Sequence, residues 1–118
     1  MNKIINLFVV SMVLTMVIKQ SLQGEKGKCS WYGVNLDGAL TASGEKYDGK
    51  KFTAAHKTLP FGTNIKVKCN GNTVEVRIND RGPFVPGRIV DFSIAAAKQV
   101  GIIDKGLCDC EIINVKKP

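Results

Sequence analysis

The chain has 118 residues, of which 44% are hydrophobic, and its 17 basic and 10 acidic side chains give a formal net charge of +7. This length is enough for one small domain and excludes a multidomain enzyme. The basic residues are scattered and only 7% of the residues are aromatic, which argues against a nucleic-acid-binding protein. The positive charge favours attraction to an anionic polymer such as a cell wall, an acidic polysaccharide or a membrane surface.

The first predicted element is a secretory signal peptide over residues 1–24. Lys3 provides a basic start, and an apolar run over residues 4–18 follows. This run is shorter than the about 20 residues that a membrane span needs, so cleavage after Gly24 is expected and an uncleaved anchor is the alternative. Removing the segment takes away two lysines and no acid, so the predicted domain, residues 25–118, carries a net charge of +5.

Four cysteines lie in this domain, at Cys29, Cys69, Cys108 and Cys110. An even number in an exported chain predicts two disulfide bonds, each worth about 2–4 kcal/mol. A bond between Cys108 and Cys110 would close a strained ring, so we expect Cys29 and Cys69 to pair with these two, in an order that the sequence leaves open. A zinc site is the weaker alternative, because there is no Cys-x-x-Cys spacing and His56 is the sole histidine. We expect neither a metal nor a cofactor.

The first half of the domain is predicted to contain short strands around a long loop. Residues 27–32 form the first strand. The stretch 34–49 is rich in Gly, Asp, Ser and Asn, which is typical of a loop. A loop this long in a small domain is often functional. Residues 52–56 form a short run of small side chains, and the Pro and Gly that follow exclude a long helix.

The clearest local pattern is a β-hairpin over residues 64–78. Apolar and polar residues alternate on both sides of the Asn70-Gly71 turn. The second strand runs on to Asp80, where a Gly-Pro turn begins, and a second short apolar run ends in Asp91 eleven residues later. Polar side chains at strand ends are well placed for function, so these two acids could belong to one cleft. For each acid taken alone, a turn or helix-cap role is the simpler interpretation.

The C-terminal part is predicted to hold one helix and a last strand. Ser93 is a suitable N-cap for a two-turn helix over residues 94–100, which Gly101 would end. Residues 110–115 form the closing strand. Six or so short strands and one small helix predict an all-β fold, a small β-barrel rather than a βαβ sheet.

Several sequence segments, in this order, carry a resemblance to a known family. The quoted segments are Ser30-Trp31-Tyr32-Gly33, Thr41-Ala42-Ser43-Gly44-Glu45, residues 53–63 (TAAHKTLPFGT), residues 76–85 (VRINDRGPFV) and residues 87–93 (GRIVDFS). In these runs the chain resembles the RlpA-like family of double-psi β-barrels, over nearly the whole of residues 25–118. The resemblance implies a six-stranded double-psi β-barrel with a shallow polysaccharide groove.

The resemblance also implies a secreted peptidoglycan lytic transglycosylase. Such enzymes break the MurNAc–GlcNAc bond without water, because the sugar's own C6 hydroxyl attacks C1 and leaves a 1,6-anhydro end. The reaction needs an acid for the leaving oxygen and a base for the hydroxyl proton, and one carboxyl group can serve as both in succession. The acid must stay protonated near neutrality, which requires desolvation or a nearby like charge.

Candidate site residues follow from the matching motifs. Asp80 is the first choice for the acid and base, and Glu45 would tune it or orient the sugar. Asp91 is a rival acid, because the expansin branch places a key acid at the matching position. His56 would hydrogen-bond substrate or a carboxylate, although a sole histidine taken alone is more simply structural. The other predicted substrate-binding residues are Tyr32, Ser43, Asn79 and Arg81.

The arginines of the same motifs leave two interpretations open. Arg77, Arg81 and Arg88 could contact the lactyl carboxylates of the glycan, and solvated surface charge is the equal alternative. The chain also lacks the lipobox and the C-terminal repeat domain of many RlpA proteins, and it has cysteines that those barrels usually lack. These departures favour an oxidising secretory setting over septal targeting.

Two further functions are compatible with this barrel. One is a non-catalytic, expansin-like protein that binds peptidoglycan or another cell-wall polysaccharide. The other is a secreted interaction module of the protease-inhibitor kind, in which loops rather than carboxylates would act. In each case we expect a monomer that is secreted, or periplasmic in a bacterium, and that meets a membrane only through an uncleaved signal segment.

Overall fold

A computed structural model of the protein describes residues 23–118. The predicted signal peptide therefore lies, except for its last two residues, outside the described part. The strands are β1 (Lys26–Trp31), β2 (Thr53–His56), β3 (Asn64–Cys69), β4 (Asn72–Asp80), β5 (Arg88–Phe92) and β6 (Leu107–Lys116), and the helix is α1 (Ile94–Val100). Within the described residues, no helix is long and apolar enough to cross a membrane.

The six strands close into a barrel in the order β1-β5-β2-β4-β3-β6, and β6 pairs with β1. Two pairs, β1 with β5 and β2 with β4, are parallel, and the other four are antiparallel. The predicted six-stranded all-β barrel is confirmed. The parallel pairs bring the end of β1 beside the end of β5, and β2 beside the end of β4.

The β3–β4 hairpin forms as the alternation predicts. Asn70 and Gly71 make the turn, each with a positive φ (54° and 77°), which suits these two residue types. Alternate side chains of both strands fill the barrel, whereas the lysines of β3 lie on its outer face. The buried set is Ile65, Val67, Cys69, Val74, Val76 and Ile78.

The single helix has the caps that the sequence predicts. The Ser93 hydroxyl accepts a hydrogen bond from the backbone N–H of Ala96, and Gly101 takes the left-handed conformation with φ of 77°. Ala96, Ala97 and Val100 are buried. The Ser93 hydroxyl also donates to the carbonyl of Lys51, so the same side chain caps the helix and fastens the segment that leads into β2.

Both disulfides join β6 to a neighbouring strand. Cys29 bonds to Cys110 and Cys69 bonds to Cys108, with Cα–Cα distances of 5.9 Å in both pairs. The predicted pairing of the two early cysteines with the two late ones is confirmed, and the structure supplies the order. In the strand register Cys29 faces Cys108 and Cys69 faces Cys110. Each disulfide therefore runs diagonally, from a cysteine to the residue two positions away from its direct partner on β6.

The loop between β1 and β2 folds back onto the barrel through a tyrosine. The Tyr47 hydroxyl donates to the carbonyl of Tyr32 at 2.9 Å and accepts from the N–H of Ile94 at 3.2 Å. Gly33 has a φ of 116°, and a Cβ there would lie 2.0 Å from the Tyr47 hydroxyl oxygen, so only glycine fits this close approach. Tyr47 thus holds the loop against both the end of β1 and the start of α1.

Candidate active site

The candidate site is built around Asp80, the last residue of β4. Its Oδ1 accepts hydrogen bonds from the backbone N–H groups of Ala42 and Arg81, both at 2.9 Å. Its Oδ2 accepts one from the Tyr32 hydroxyl at 2.9 Å. Three segments therefore converge on this carboxylate: the end of β1, the long loop and the turn after β4.

The three donors occupy the two carboxylate oxygens unequally. A carboxylate oxygen has two lone pairs. Among residues 23–118, two backbone N–H groups occupy Oδ1, whereas Oδ2 receives a single donor, from Tyr32. One lone pair of Asp80 Oδ2 is therefore open, and it can carry a proton or accept a hydrogen bond from a hydroxyl group. The side chain is partly exposed, so this position is open to a ligand from outside the barrel.

Tyr32 links Asp80 to Asp91 electrostatically. Burial raises the pKa of Tyr32, and the charges of Asp80 and Asp91 raise that pKa further. The tyrosine ring packs against the ring of Tyr47, with centroids 5.2 Å apart. The hydroxyl of Tyr32 is therefore a neutral, firmly placed hydrogen-bond donor, and it orients Asp80.

Glu45 forms a paired carboxylate beside β4. Nη1 and Nη2 of Arg77 donate to its two carboxylate oxygens at 2.9 and 2.7 Å, a bidentate geometry that favours the ionised form. The Asn79 amide adds a weaker contact at 3.5 Å. The hydrogen bonds from Arg77 hold the pKa of Glu45 below its ordinary value of 4.5. Glu45 is therefore ionised at neutral pH and cannot donate a proton there.

The Glu45–Arg77 pair predicts a specific pH dependence of stability. Because the pKa of Glu45 is lower in the folded chain, the stabilisation is fully present above about pH 4.5 and is lost as the pH falls through the folded-state pKa. The variant Arg77→Gln should be less stable than the wild type by about 1 kcal/mol at pH 7, since the pair is one-third exposed. Urea unfolding should show this difference shrinking as the pH falls below 4.5.

The control for this experiment is the exposed pair of Lys28 and Asp109, in which the side chains are 53% and 87% exposed. Lys28→Gln should change the free energy of unfolding less than Arg77→Gln does, because exposed pairs are well screened. An Arg77→Gln deficit that persists unchanged at pH 3 would show that the arginine stabilises the barrel by packing rather than through Glu45.

His56 lies inside the barrel and makes structural contacts. It is 2% exposed, and its Nδ1 accepts from the backbone N–H groups of Thr58 and Leu59, both at 3.1 Å. These donors place the ring proton on Nε2, which faces Glu25 at 3.4 Å. Burial lowers the pKa of His56, so the ring is neutral at pH 7. The histidine organises the turn after β2.

Asp91 has a different environment from Asp80. It lies within β5, one residue before the strand ends, and it accepts a hydrogen bond from the Ser30 hydroxyl. Ser30 and Asp91 are direct register partners in the parallel β1–β5 pair. The helix cap is Ser93, so Asp91 does not serve as the cap. Its carboxylate lies near enough to Tyr32 to raise that residue's pKa.

Two other predicted site residues, Asn79 and Ser43, make contacts within the protein next to Asp80. Asn79 is 1% exposed. The Ser43 hydroxyl contacts Thr41 and accepts from the N–H of Glu45, while the Ser43 N–H donates to the carbonyl of Asn79. These contacts tie the long loop to the end of β4. Asn79 and His56 are both buried, and the carboxylate that His56 faces is Glu25; contact of either residue with substrate stays a prediction.

Arg81 anchors the turn that follows Asp80. Its Nη1 donates to the carbonyls of His56 and Leu59 at 3.2 and 2.9 Å. Its guanidinium group also lies 4.0 Å from the centre of the Phe61 ring, a favourable cation–π distance. The same side chain thus fastens the turn after β4 to the turn after β2.

Two open concavities are prominent in the described part of the chain, and neither is lined by Asp80. One, of about 680 Å³, lies at the opposite end of the barrel and includes Lys26, Lys28 and Lys68. The other, of about 370 Å³, includes Phe52 and Glu75.

Three partners of the site were not assigned from the sequence. Arg77 pairs with Glu45, whereas the sequence offered it as a contact for the glycan. Ser30 is the donor to Asp91, and Tyr47 supports Tyr32. Each contact joins residues at least 15 positions apart. Two of these contacts, Ser30 with Asp91 and Tyr47 with Tyr32, involve residues of the sequence motif Ser30-Trp31-Tyr32.

Comparison with known sequences gives a consistent result. Residues 24–112 match the family described as "Lytic transglycolase". The chain is 50% identical over 98 residues to the endolytic peptidoglycan transglycosylase RlpA of Vibrio cholerae, which covers 80% of this chain and 37% of that protein. It is 52% identical over 83 residues to the probable endolytic peptidoglycan transglycosylase RlpA of Synechocystis sp., which covers 69% of this chain and 26% of that protein. The chain thus spans well under half the length of these relatives.

Solved structures show the same fold at low sequence identity. The Streptomyces papain inhibitor matches with a TM-score of 0.60 and 24% identity, covering 76% of this chain and 94% of the inhibitor. An apo expansin of Clavibacter michiganensis matches with a TM-score of 0.64 and 17% identity, covering 79% of this chain and 50% of the expansin. The fold is that of the double-psi β-barrels.

Proposed function

This chain belongs to the lytic transglycolase family, and from that membership we propose that it cleaves the MurNAc–GlcNAc bond of peptidoglycan glycan strands and leaves 1,6-anhydro ends. The observation that carries the proposal is the carboxylate of Asp80, fixed by Tyr32, Ala42 and Arg81 with one open position on Oδ2. The relatives named endolytic peptidoglycan transglycosylase, about half identical in sequence, support the same reaction.

Asp80 would serve as acid and then as base. In the first half of the reaction, protonated Oδ2 gives its proton to the glycosidic oxygen as the C1–O bond breaks. In the second half, the resulting carboxylate takes the proton of the C6 hydroxyl as O6 bonds to C1. One bond breaks, one bond forms and one proton passes through Asp80, so no water is consumed and the two products together have the mass of the substrate.

The neighbouring groups would position the reaction. Tyr32 and the two backbone N–H groups hold the carboxylate in one orientation. A catalytic acid that is fixed in place raises the reaction rate more than a mobile one does. Glu45, kept ionised by Arg77, would place a negative charge beside the sugar where positive charge develops at C1. Asp91 would be a second carboxylate, whose charge acts on Tyr32.

We further propose that the protein acts outside the cytoplasm on a cell-wall polysaccharide, as a monomer. Two disulfides suit an oxidising compartment. The predicted net charge of +5 for residues 25–118 suits an anionic wall. The backbone pairing of the barrel reaches back to Gly24, the last residue of the proposed signal peptide: its N–H donates to the carbonyl of Ile112, and the carbonyl of Glu25 accepts from the N–H of Ile112.

The test is a product analysis on purified peptidoglycan. The oxidised protein is incubated with intact sacculi and, separately, with glycan strands freed of their peptides, and the soluble products are weighed by mass spectrometry. Anhydro products, each one water lighter than the hydrolysis product, are expected. Hydrolytic products would contradict the mechanism. Intact glycan after long incubation, together with sedimentation of the protein on the wall, would replace the enzyme with a non-catalytic wall binder.

A further inference from the structure

Phe84 is the most exposed large apolar side chain of the described residues. It is 81% exposed, and it lies in the turn between β4 and β5, four residues after Asp80. An aromatic ring in this position adds nothing to the core. Isolated exposed apolar residues are common on protein surfaces, so its position relative to Asp80 decides whether the exposure has a function.

The turn that carries Phe84 is anchored at its start by Arg81. Arg81 at its start donates to Asp80 through its backbone and to the carbonyls of His56 and Leu59 through its side chain. The ring edge of Phe84 lies against Gly82, since a Cβ on Gly82 would be 3.5 Å from Cε2 of the ring. The ring is otherwise open to solvent.

The two segments whose N–H groups contact Asp80 each carry an exposed apolar side chain. The N–H of Ala42 meets Asp80 from the long loop, and Leu40, two residues earlier, is 74% exposed. The N–H of Arg81 meets the same carboxylate from the turn that carries Phe84. The chain thus presents an exposed aliphatic and an exposed aromatic side chain on the two segments that converge on the candidate acid.

We propose that Phe84 is the stacking platform for a pyranose ring of the glycan strand, in the subsite next to the bond that Asp80 cleaves. The inference rests on the proposed function and deepens it by naming the residue that binds the sugar. A pyranose presents a face of C–H groups, which packs on an aromatic face, while its hydroxyl groups stay in water at the rim. A rigid aromatic side chain binds with little loss of conformational freedom.

The size of the feature favours a sugar over a protein partner. A stable protein interface buries about 800 Å² on each partner, whereas here one ring and one aliphatic side chain flank a carboxylate. A sugar ring is of similar size to the phenyl ring that would support it. Phe84 lies on the same turn as Arg81, whose N–H donates to Asp80, and this continuity is the reason for assigning the ring to the subsite next to the reacting bond.

The test measures binding and cleavage separately. Soluble peptide-free glycan strands are titrated by calorimetry into Asp80→Asn protein that carries Phe84→Ala, Phe84→Leu, Phe84→Trp or no second change. The Phe84→Ala change should weaken binding about tenfold, Phe84→Leu should recover little of it, and Phe84→Trp should retain or strengthen it. The matched control is Phe52→Ala, which removes an exposed phenylalanine in the second concavity and should leave the affinity unchanged.

The outcomes separate this inference from the proposed function. Equal affinity in Phe84→Ala, or full recovery in Phe84→Leu, would overturn the stacking role even if the wild type cleaves peptidoglycan. If the wild type cleaves nothing but Phe84→Ala still loses affinity selectively, the platform stands and the enzymatic proposal fails. Absence of any glycan binding would overturn the inference. Circular dichroism and thermal unfolding should be unaffected by Phe84→Ala, because the residue is exposed.

Discussion

Replacing Asp80 with Asn is expected to lower the rate of glycan cleavage by about 10²–10⁴-fold, the usual contribution of a general acid or base. An amide cannot release a proton to the glycosidic oxygen or accept one from the C6 hydroxyl. The substitution keeps the shape of the side chain, and its carbonyl oxygen can still accept from Ala42 and Arg81. The variant should therefore fold normally and still bind glycan, so the loss should fall on kcat rather than on KM.

Two further aspartates provide the controls for that result. Asp109→Asn changes an acid that is 87% exposed and paired only with Lys28, so activity should remain within about twofold of wild type by the usual tolerance of surface sites. Asp91→Asn tests the rival acid. A partial loss is expected, because the charge of Asp91 acts on Tyr32, which donates to Asp80. Loss of cleavage in Asp91→Asn with full activity in Asp80→Asn would transfer the catalytic role to Asp91.

The choice of Asp80 over Asp91 rests on their hydrogen bonds. Asp80 receives donors from three segments of the chain, and one position on Oδ2 is left open. Asp91 is part of a strand and is already paired with the Ser30 hydroxyl beside it. A carboxylate at a strand end, where loops converge, meets a polymer more readily than one within a strand between two paired neighbours.

Local sequence patterns predicted the parts of the fold that depend on neighbouring residues. The Asn70-Gly71 hairpin and the helix with Ser93 and Gly101 as caps are set by turn and cap chemistry within a few positions. The parallel pairing of β1 with β5 and of β2 with β4 joins segments far apart in the chain. No local period encodes such pairings, and the barrel topology was available in advance only through the family resemblance.

For the candidate site, the sequence predicted the position of the acid but not the contacts of the surrounding residues. The position of Asp80 followed from a strand that ends before a Gly-Pro turn. The environment of each site residue did not follow, because it depends on contacts across the barrel. Arg77, from 32 positions away, pairs with Glu45 and keeps it ionised, and the ring of His56 is enclosed by the turn it organises. A sequence motif marks which residues matter, but burial decides whether a side chain faces the ligand or supports another side chain.

The second large effect is expected from the disulfides. Removing the Cys29–Cys110 bond by a double Cys→Ala substitution should lower the free energy of unfolding by about 4 kcal/mol, because the Cys69–Cys108 bond that remains shortens the released loop, and removing Cys69–Cys108 should lower it by about 3 kcal/mol in the same chain-entropy treatment. The order follows from the separations of 81 and 39 residues. Urea unfolding of the two variants measures both losses. A loss below 1 kcal/mol in either variant would contradict the entropic account.

The connectivity has to be established on the same protein, because the crossed bonds admit one near alternative. The register places Cys29 opposite Cys108 and Cys69 opposite Cys110, so an exchanged pair would need little movement of the strands. Cleavage on the amino side of Asp109 separates Cys108 from Cys110, and non-reducing mass spectrometry should then find Cys29 linked to the peptide that begins at Asp109.

A domain of this size has about 5–15 kcal/mol of stability. Loss of both bonds should therefore leave the loop and the turn that hold Asp80 without a stable barrel beneath them, and glycan cleavage should disappear on reduction together with the folded state.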